Sequence, residues 1–302
     1  MNRIAKISPL TNLDIRLLKV FRTVAECGGF AAAEVELNIS CSAISISMSD
    51  LEERIGLRLC QRGRAGFSLT EEGKMVYEAS QQLMASIDDF RSQIDFIHAR
   101  LTGQLSIGIT DNLVTIEHMK ITEAIKKLKK IGPEVEIQIR MIPPNEIERS
   151  LHDGGLHVGV IPHIRPLPGL EYMDLYVEES NLYCSSEHPL FTMEDDVIDH
   201  DTLQQFEAVA PAYAQNAETR SHYLHLKTTA TATDREGVAF LILTDAYIGF
   251  LPAHFASRWV RDGRIRAIRT NTYSFSTDYQ AVTRKGIRRS KVLETFLNLI
   301  EI

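Results

Sequence analysis

Ser42, Ser45, Ile46 and Ser49 recur at short intervals behind Ser40, a spacing that gathers them along one side of a helix. Their hydroxyls can donate to phosphates and base edges, and Ile46 can rest against a thymine methyl group. Ile44, Met48, Leu51 and Ile55 take the opposite side, so the serine side has no core to fill. Arg58, Arg62 and Arg64 follow, cations of the kind that pair with a phosphate backbone. This is the chemistry of recognition rather than of bond breaking. The sequence has no GxSxG, GxGxxG or HExxH. His222 and His225 have metal-like spacing but lack a third ligand nearby, and they read as a helix surface. Glu71-Glu72 and Asp195-Asp196 point apart on a helix and read as solvated acids. No enzymatic activity, cofactor or metal is expected.

The elements around these residues explain how they are presented. Ser40 is the expected N-cap of their helix. A tight turn at Leu37-Asn38-Ile39 joins it to a shorter helix with Ala33 and Leu37 on one face. Upstream, residues 13–25 form an amphipathic helix through Leu17, Leu18, Phe21, Val24 and Ala25. Thr11 or Asn12 caps it, and Cys27-Gly28-Gly29 ends it. Downstream, residues 57–62 can pair with 67–69 across Gly63-Arg64-Ala65-Gly66, giving an arginine-bearing hairpin that suits a wing along a phosphate backbone. A helix pair with an uncovered second member is the geometry that enters the DNA major groove.

Residues 10–73 resemble the LysR-type family of bacterial transcriptional regulators. The likeness runs through FRTVAE at 21–26, Gly28-Gly29-Phe30, Ala32-Ala33, Ile39-Ser40, Ala43-Ile44-Ser45, LEERIG at 51–56, Leu57-Arg58-Leu59, Arg62 and LTEEG at 69–73. It implies an α/β protein with an N-terminal winged helix-turn-helix over 1–69, a linker and dimerisation helix over 70–102, and a two-lobed effector domain resembling a periplasmic binding protein. Lobe I would comprise 103–179 and 276–302, and lobe II 180–275. The expected partners are double-stranded promoter DNA, a small-molecule effector and further copies of the chain, as a dimer or tetramer. The expected DNA contacts are Ser40, Ser42, Ser45, Ile46, Ser49, Arg58, Arg62 and Arg64. Many relatives carry glutamine near position 41 and a basic residue near 46, where this chain has Cys41 and Ile46. Bidentate base reading is therefore impoverished, and a larger share of specificity is expected from DNA shape.

Pattern alone also organises the rest of the chain. Val76, Ala79, Leu83, Ile87, Phe90, Ile94, Ile97 and Leu101 recur at helical spacing, and about 30 residues of helix would extend some 45 Å. Such a stripe either packs on its own domain or pairs with a second copy. The second option suits so long a helix beside so short a domain, and the family dimerises through it. From Gly103 strands alternate with helices. Strands are expected at 104–109, 134–142, 156–161, 181–185, 206–210, 227–231, 247–251 and 276–284, with helices at 116–131, 145–152 and 290–300. This implies parallel sheets covered on both faces, in two lobes joined near 178–180 and 271–277.

Ligands of such sheets sit beyond the carboxyl ends of strands. That position nominates Thr110, Asp111 and Asn112 after the first strand, Pro162 and His163 after the third, and Thr231 to Thr233 in the second lobe. For each, helix capping is an equal alternative. Asp111 would repel an anion or pair with an amine. Position 162 is Pro where some aromatic-acid sensors of the family carry arginine, so an aromatic acid is not carried over as the effector.

Composition agrees with this reading. The net charge is -7, yet residues 1–66 hold nine Lys or Arg against seven Asp or Glu, a net of +2, leaving -9 for the remainder. So modest a charge suggests few phosphate contacts per subunit and hence cooperation between subunits. Cys27, Cys41, Cys60 and Cys184 form no CxxC pair, and no apolar run approaches the roughly 20 residues of a membrane span. The N-terminus lacks the apolar core of a secretory signal. A cytoplasmic protein without membrane association is expected. A solute-binding protein fused to an interaction helix is a further alternative, disfavoured by the winged helix-turn-helix.

Overall fold

Apolar spacing and capping chemistry set the order of elements from Thr11 onward. The computed structural model of the chain describes residues 11–63, 66–97, 101–117, 119–213, 215–286 and 289–301. Two compact units are formed, Met1–Asp88 and Asp89–Ile302.

The first unit begins with helix α1 (Asn12–Glu26), α2 (Phe30–Leu37) and α3 (Cys41–Ile55), followed by strands β1 (Cys60–Gly63) and β2 (Gly66–Leu69). Helix α4 (Glu71–Ile97) follows. Phe21 and Val24 of α1, Ala33 of α2, and Ile44, Met48 and Leu51 of α3 form one buried cluster with Leu59 and Met84. Burying each of the larger members contributes about 1.5–3 kcal/mol. Asp14 accepts from the Thr11 N–H (2.7 Å) and hydroxyl (2.6 Å), which starts α1. It also takes the Arg54 guanidinium at 2.5 and 3.0 Å, tying the start of α1 to the end of α3. These bonds, first that from Arg54, hold the Asp14 carboxyl well below the usual carboxylate range.

The hairpin pairs Cys60 with Leu69 and Gly63 with Gly66, so its first strand starts three residues later than the expected 57, because residues 57–59 are held by other bonds. Glu52 of α3 accepts the backbone N–H groups of Leu59 (2.7 Å) and Cys60 (3.2 Å). On the far side, Leu59 C=O accepts from Thr70 N–H at 3.0 Å. The Thr70 hydroxyl donates to Arg58 C=O (2.6 Å) and caps α4 by accepting from Gly73 N–H (2.9 Å). Gly73 must lack a side chain here, since a Cβ would lie 1.9 Å from the Leu59 carbonyl oxygen. The α4 stripe divides in two. Val76, Leu83 and Ile87 pack on the first unit's core, whereas Phe90 and Ile94 are exposed.

The second unit runs β3 (Gly103–Ile109), α5 (Lys120–Ile131), β4 (Val135–Met141), α6 (Pro144–His152), β5 (Val158–Pro162) and β6 (Leu170–Ser185). It continues with α7 (His200–Leu203), β7 (Glu207–Pro211), α8 (Ala217–Tyr223), β8 (Lys227–Ala232), α9 (Arg235–Ile242) and β9 (Tyr247–Pro252). Last come α10 (Ala253–Arg261), β10 (Ile265–Ala267), β11 (Ser274–Arg284) and α11 (Lys291–Glu301). The strand order is β4-β3-β5-β11-β6-β9-β7-β8, with β10 on β6.

At one end β3 pairs in parallel with β4 and β5, and at the other β7 pairs in parallel with β8 and β9. Each end has apolar cover on both faces. Leu105, Ile107 and Val160 meet Leu128 and Phe296 on one side, and Ile161 and Val282 meet Ile147 and Leu151 on the other. At the second end Ala208 and Ile248 join Leu203, while Val209 and Leu251 join Val238 and Ile242. The expectation of purely parallel sheets needs correction. The long strands β6 and β11 pair antiparallel from Ser274↔Asn181 to Arg284↔Leu170 and link the two ends. Strand β6 starts at Leu170, well before the expected 181, because its acid-bearing half is paired on β11 rather than left as a loop. Among the described residues no helix is long and apolar enough to cross a membrane.

Candidate functional site

Two surfaces carry the candidate residues, one in each unit. In the first, Ser40 opens α3 by accepting the Ala43 N–H at 3.3 Å. Asn38 turns the chain just before it in the left-handed region (φ 51°), a conformation that asparagine tolerates well. With Ile44, Met48 and Leu51 buried, the other side of α3 presents Ser42, Ser49 and Ile46, the last 63% exposed. Ser45 is half-buried beside them. The Ser40 and Ser42 hydroxyls lie 2.9 Å apart, and Ser49 donates to Ser45 C=O at 3.0 Å within the helix. Ser49 therefore offers its oxygen outward as an acceptor. Arg58 is exposed just before the hairpin. Arg62 stands in β1 opposite Phe67, and Arg64 lies outside the described residues. The arrangement can lay a short-chained, uncharged helix side into a groove, with the exposed Arg58 available to a phosphate.

In the second unit the ends of the strands enclose a cavity of about 350 Å³. Thr110, Asp111, Asn112, Pro162 and Thr233 all line it. His163 and Pro162 line a neighbouring cavity walled by Tyr213, Phe250 and Phe275. The His163 ring sits 2.8 Å from Gln280 Oε1. Thr231 is exposed on β8 and lines neither cavity.

The centre of the site is Arg235, at the start of α9, which lines both cavities. Its guanidinium donates to Asp111 Oδ1 (3.0 Å), Glu178 Oε1 (2.8 Å) and the Tyr279 hydroxyl (2.5 Å). Its backbone N–H donates to Asp111 Oδ2 at 2.6 Å. Glu178 Oε2 lies 3.0 Å from His254 Nε2, and His254 Nδ1 lies 2.7 Å from the Thr115 hydroxyl. Tyr176 stacks on Tyr279 with ring centres 4.9 Å apart. Burial works against the Arg235 charge, but Tyr279, Glu178, Tyr213 and Asp111 around it more than reverse this and keep it protonated. Burial pushes the pKa values of the Tyr279 and Tyr176 hydroxyls upward, so both remain neutral. The site can thus bind polar and charged groups through a fixed guanidinium, carboxylates and phenols.

Sequence reasoning missed Arg235, Glu178, Tyr279, His254 and Tyr213. Asp234-Arg235, directly after the Thr231–Thr233 run, was a usable signal for the first. Asp234 caps α9 by accepting the Gly237 N–H at 2.7 Å, and a cap followed by arginine at a strand's carboxyl end marks a ligand position.

Comparison with known proteins bears on both surfaces. Residues 15–74 match the family model described as bacterial regulatory helix-turn-helix protein, lysR family. Residues 98–301 match that of the LysR substrate binding domain. The HTH-type transcriptional activator BauR of Pseudomonas aeruginosa is 48% identical over 301 residues, spanning 100% of this chain and 99% of BauR. MetR of Escherichia coli is 23% identical over 289 residues, 94% of this chain and 89% of MetR. Among solved structures, full-length CbnR complexed with its target DNA superposes with a TM-score of 0.65 at 20% identity, covering 95% of this chain and 98% of CbnR. LysG of Corynebacterium glutamicum with bound effector Arg gives 0.52 at 16% identity, covering 95% and 96%.

Proposed function

The chain belongs to the LysR family of bacterial transcriptional regulators, and we propose that it activates transcription by binding promoter DNA as an oligomer under the control of a small molecule held in the second unit's cavity. It is a DNA-binding regulator with an effector-binding domain. The observation that carries the recognition half is the uncovered side of α3, with Ile46 exposed while Ile44 and Met48 opposite are buried. We assign base contact to Ser42, Ser45, Ile46 and Ser49, and phosphate contact to Ser40, Arg58, Arg62 and Arg64. Activation rather than repression follows BauR, a transcriptional activator. We assign the cavity to binding and not to catalysis, and place the protein in the cytoplasm with its DNA.

The division into a DNA-binding head (1–69), a linker helix (70–102), lobe I (103–179 and 276–302) and lobe II (180–275) fits these roles. Exposed Phe90 and Ile94 on α4 support pairing of that helix with a second copy. Thr110, Asp111, Asn112, Pro162 and Thr233 are assigned to the effector, with Arg235 and Tyr279 added. His163 walls the adjoining cavity, and Thr231 is assigned no contact. Gel-shift titration on the chain's own upstream DNA tests the proposal. Arg58→Ala should weaken operator and random DNA alike and reduce the slope of log K against log salt by about 0.9 for each subunit bound to the DNA. An unchanged slope removes Arg58 from the phosphate contacts. A thermal-shift screen of metabolites tests the effector half, since a ligand of the folded state raises its melting point.

A further inference from the structure

Asp111 follows β3, in the first lobe, and Arg235 opens α9, in the second. One carboxylate nevertheless takes two donors from the same residue across the cavity, the Arg235 N–H at 2.6 Å and its guanidinium at 3.0 Å. A guanidinium beside the free N–H of a helix start is a carboxylate-binding arrangement, because charge, directed N–H groups and the helix dipole all favour an anion there. The chain fills it with its own side chain. Close by, Thr110 lines the same cavity and is only 5% exposed, and its buried hydroxyl has no hydrogen-bond partner. An orphaned buried hydroxyl costs stability unless something meets it.

We propose that Asp111 is an internal ligand, occupying the place of an effector carboxylate and latching the two lobes together until a carboxylate-bearing molecule displaces it. Thr115 to His254 adds a second bond between the lobes, and Glu178 joins both by accepting from Arg235 and lying against His254. A tethered carboxylate competes at high effective concentration. Simple anions therefore fail against it, and only a molecule gaining further contacts in the cavity, such as with Thr110, succeeds. The resident Asp111 is in this way a selectivity filter as well as a latch. The inference rests on the cavity being the effector site.

Chemical rescue tests it on the full-length protein. Asp111→Ala should lower the melting temperature by roughly 5–15 °C, since it leaves a buried cation short of a partner. Sodium acetate or formate on the order of tens of millimolar, against sodium chloride at equal ionic strength, should recover part of that loss in the variant and leave the wild type unmoved. Acetate acting equally on both proteins, or on neither, overturns the proposal. Should Asp111→Ala fail to fold, Asp111→Asn keeps the shape without the charge. It should melt below wild type, and a wild-type melting point would overturn the proposal equally. Failed rescue leaves the effector site standing. That reading falls separately, if Tyr213→Ala leaves unchanged the response to every metabolite that stabilises the wild type.

Discussion

Replacing Gly73 by alanine should damage DNA binding from a position that need not touch DNA. The added Cβ would stand 1.9 Å from the Leu59 carbonyl oxygen and 2.8 Å from its carbon, against the 3.4 Å at which ordinary contact begins. Relief requires a movement of about 1.5 Å, and the obstacle is backbone, which cannot rotate away. Leu59 cannot yield alone, because Glu52 holds its N–H at 2.7 Å and Thr70 holds its C=O at 3.0 Å. Overpacking of this kind costs about 1–3 kcal/mol, while alanine recovers at most about 1 kcal/mol of helix propensity. A net loss of about 1–2 kcal/mol in a unit of this size lowers its melting temperature by roughly 5–15 °C. Because the hairpin must move with Leu59, Arg58 and Arg62 leave their places, and operator affinity should fall about tenfold. Thermal melting and gel-shift titration on the upstream DNA measure both effects. Gly28→Ala is the control, with positive φ but nothing within 4 Å of the new Cβ, so it should cost about 1 kcal/mol and spare DNA binding. A Gly73→Ala protein with wild-type melting and affinity would refute the reasoning.

Ile46→Ala should leave stability within about 0.5 kcal/mol yet reduce operator affinity by up to about tenfold with random DNA unaffected, as read by competition gel shift. Glu52→Ala strands the Leu59 and Cys60 N–H groups and should cost the first unit about 1–3 kcal/mol, whereas Glu52→Gln keeps an acceptor and should lose less in the same denaturant titration. Burial lowers the pKa values of His188 and His222 below 6.5. As pH falls through 6.5 these two side chains take up protons in the unfolded chain that they refuse in the folded one, so the stability they contribute is present above that pH and declines below it. Melting curves between about pH 7.5 and pH 5.5 should show this decline, and His188→Asn should flatten it in part.

Local signals made the first unit legible. The spacing of Ile44, Met48 and Leu51 is a packing constraint written over eight residues, and Ser40 caps within three. The Asp14–Arg54 pair escaped because its members stand 40 residues apart and neither sits in a telling pattern. The second unit shows the same division. Thr110 to Asn112 could be placed at a strand's end from periodicity alone, whereas Arg235 meets Glu178 across 57 residues and Tyr279 across 44. Such convergence is a property of sheet order, and the order depends on β6 and β11. Leu170 to Glu179 reads poorly as a strand because its acids disfavour one in isolation, and pairing with β11 supplies the stability that local propensity lacks.

That pairing constrains how a signal can leave the cavity. With β6 and β11 bonded along their shared length, the lobes are not bodies swinging on slack tethers. They are two ends of one ribbon, and relative movement between them has to be absorbed as its bending and twist. The ladder is broken at one place, where register slips between Tyr279 and Gln280 and Leu175 has no opposite number, and such a break bends and twists a strand locally. Tyr279 also accepts from Arg235, so this irregular joint lies one side chain from the buried guanidinium. A displaced carboxylate would act on that joint directly, and the ribbon would spring back once the visitor left.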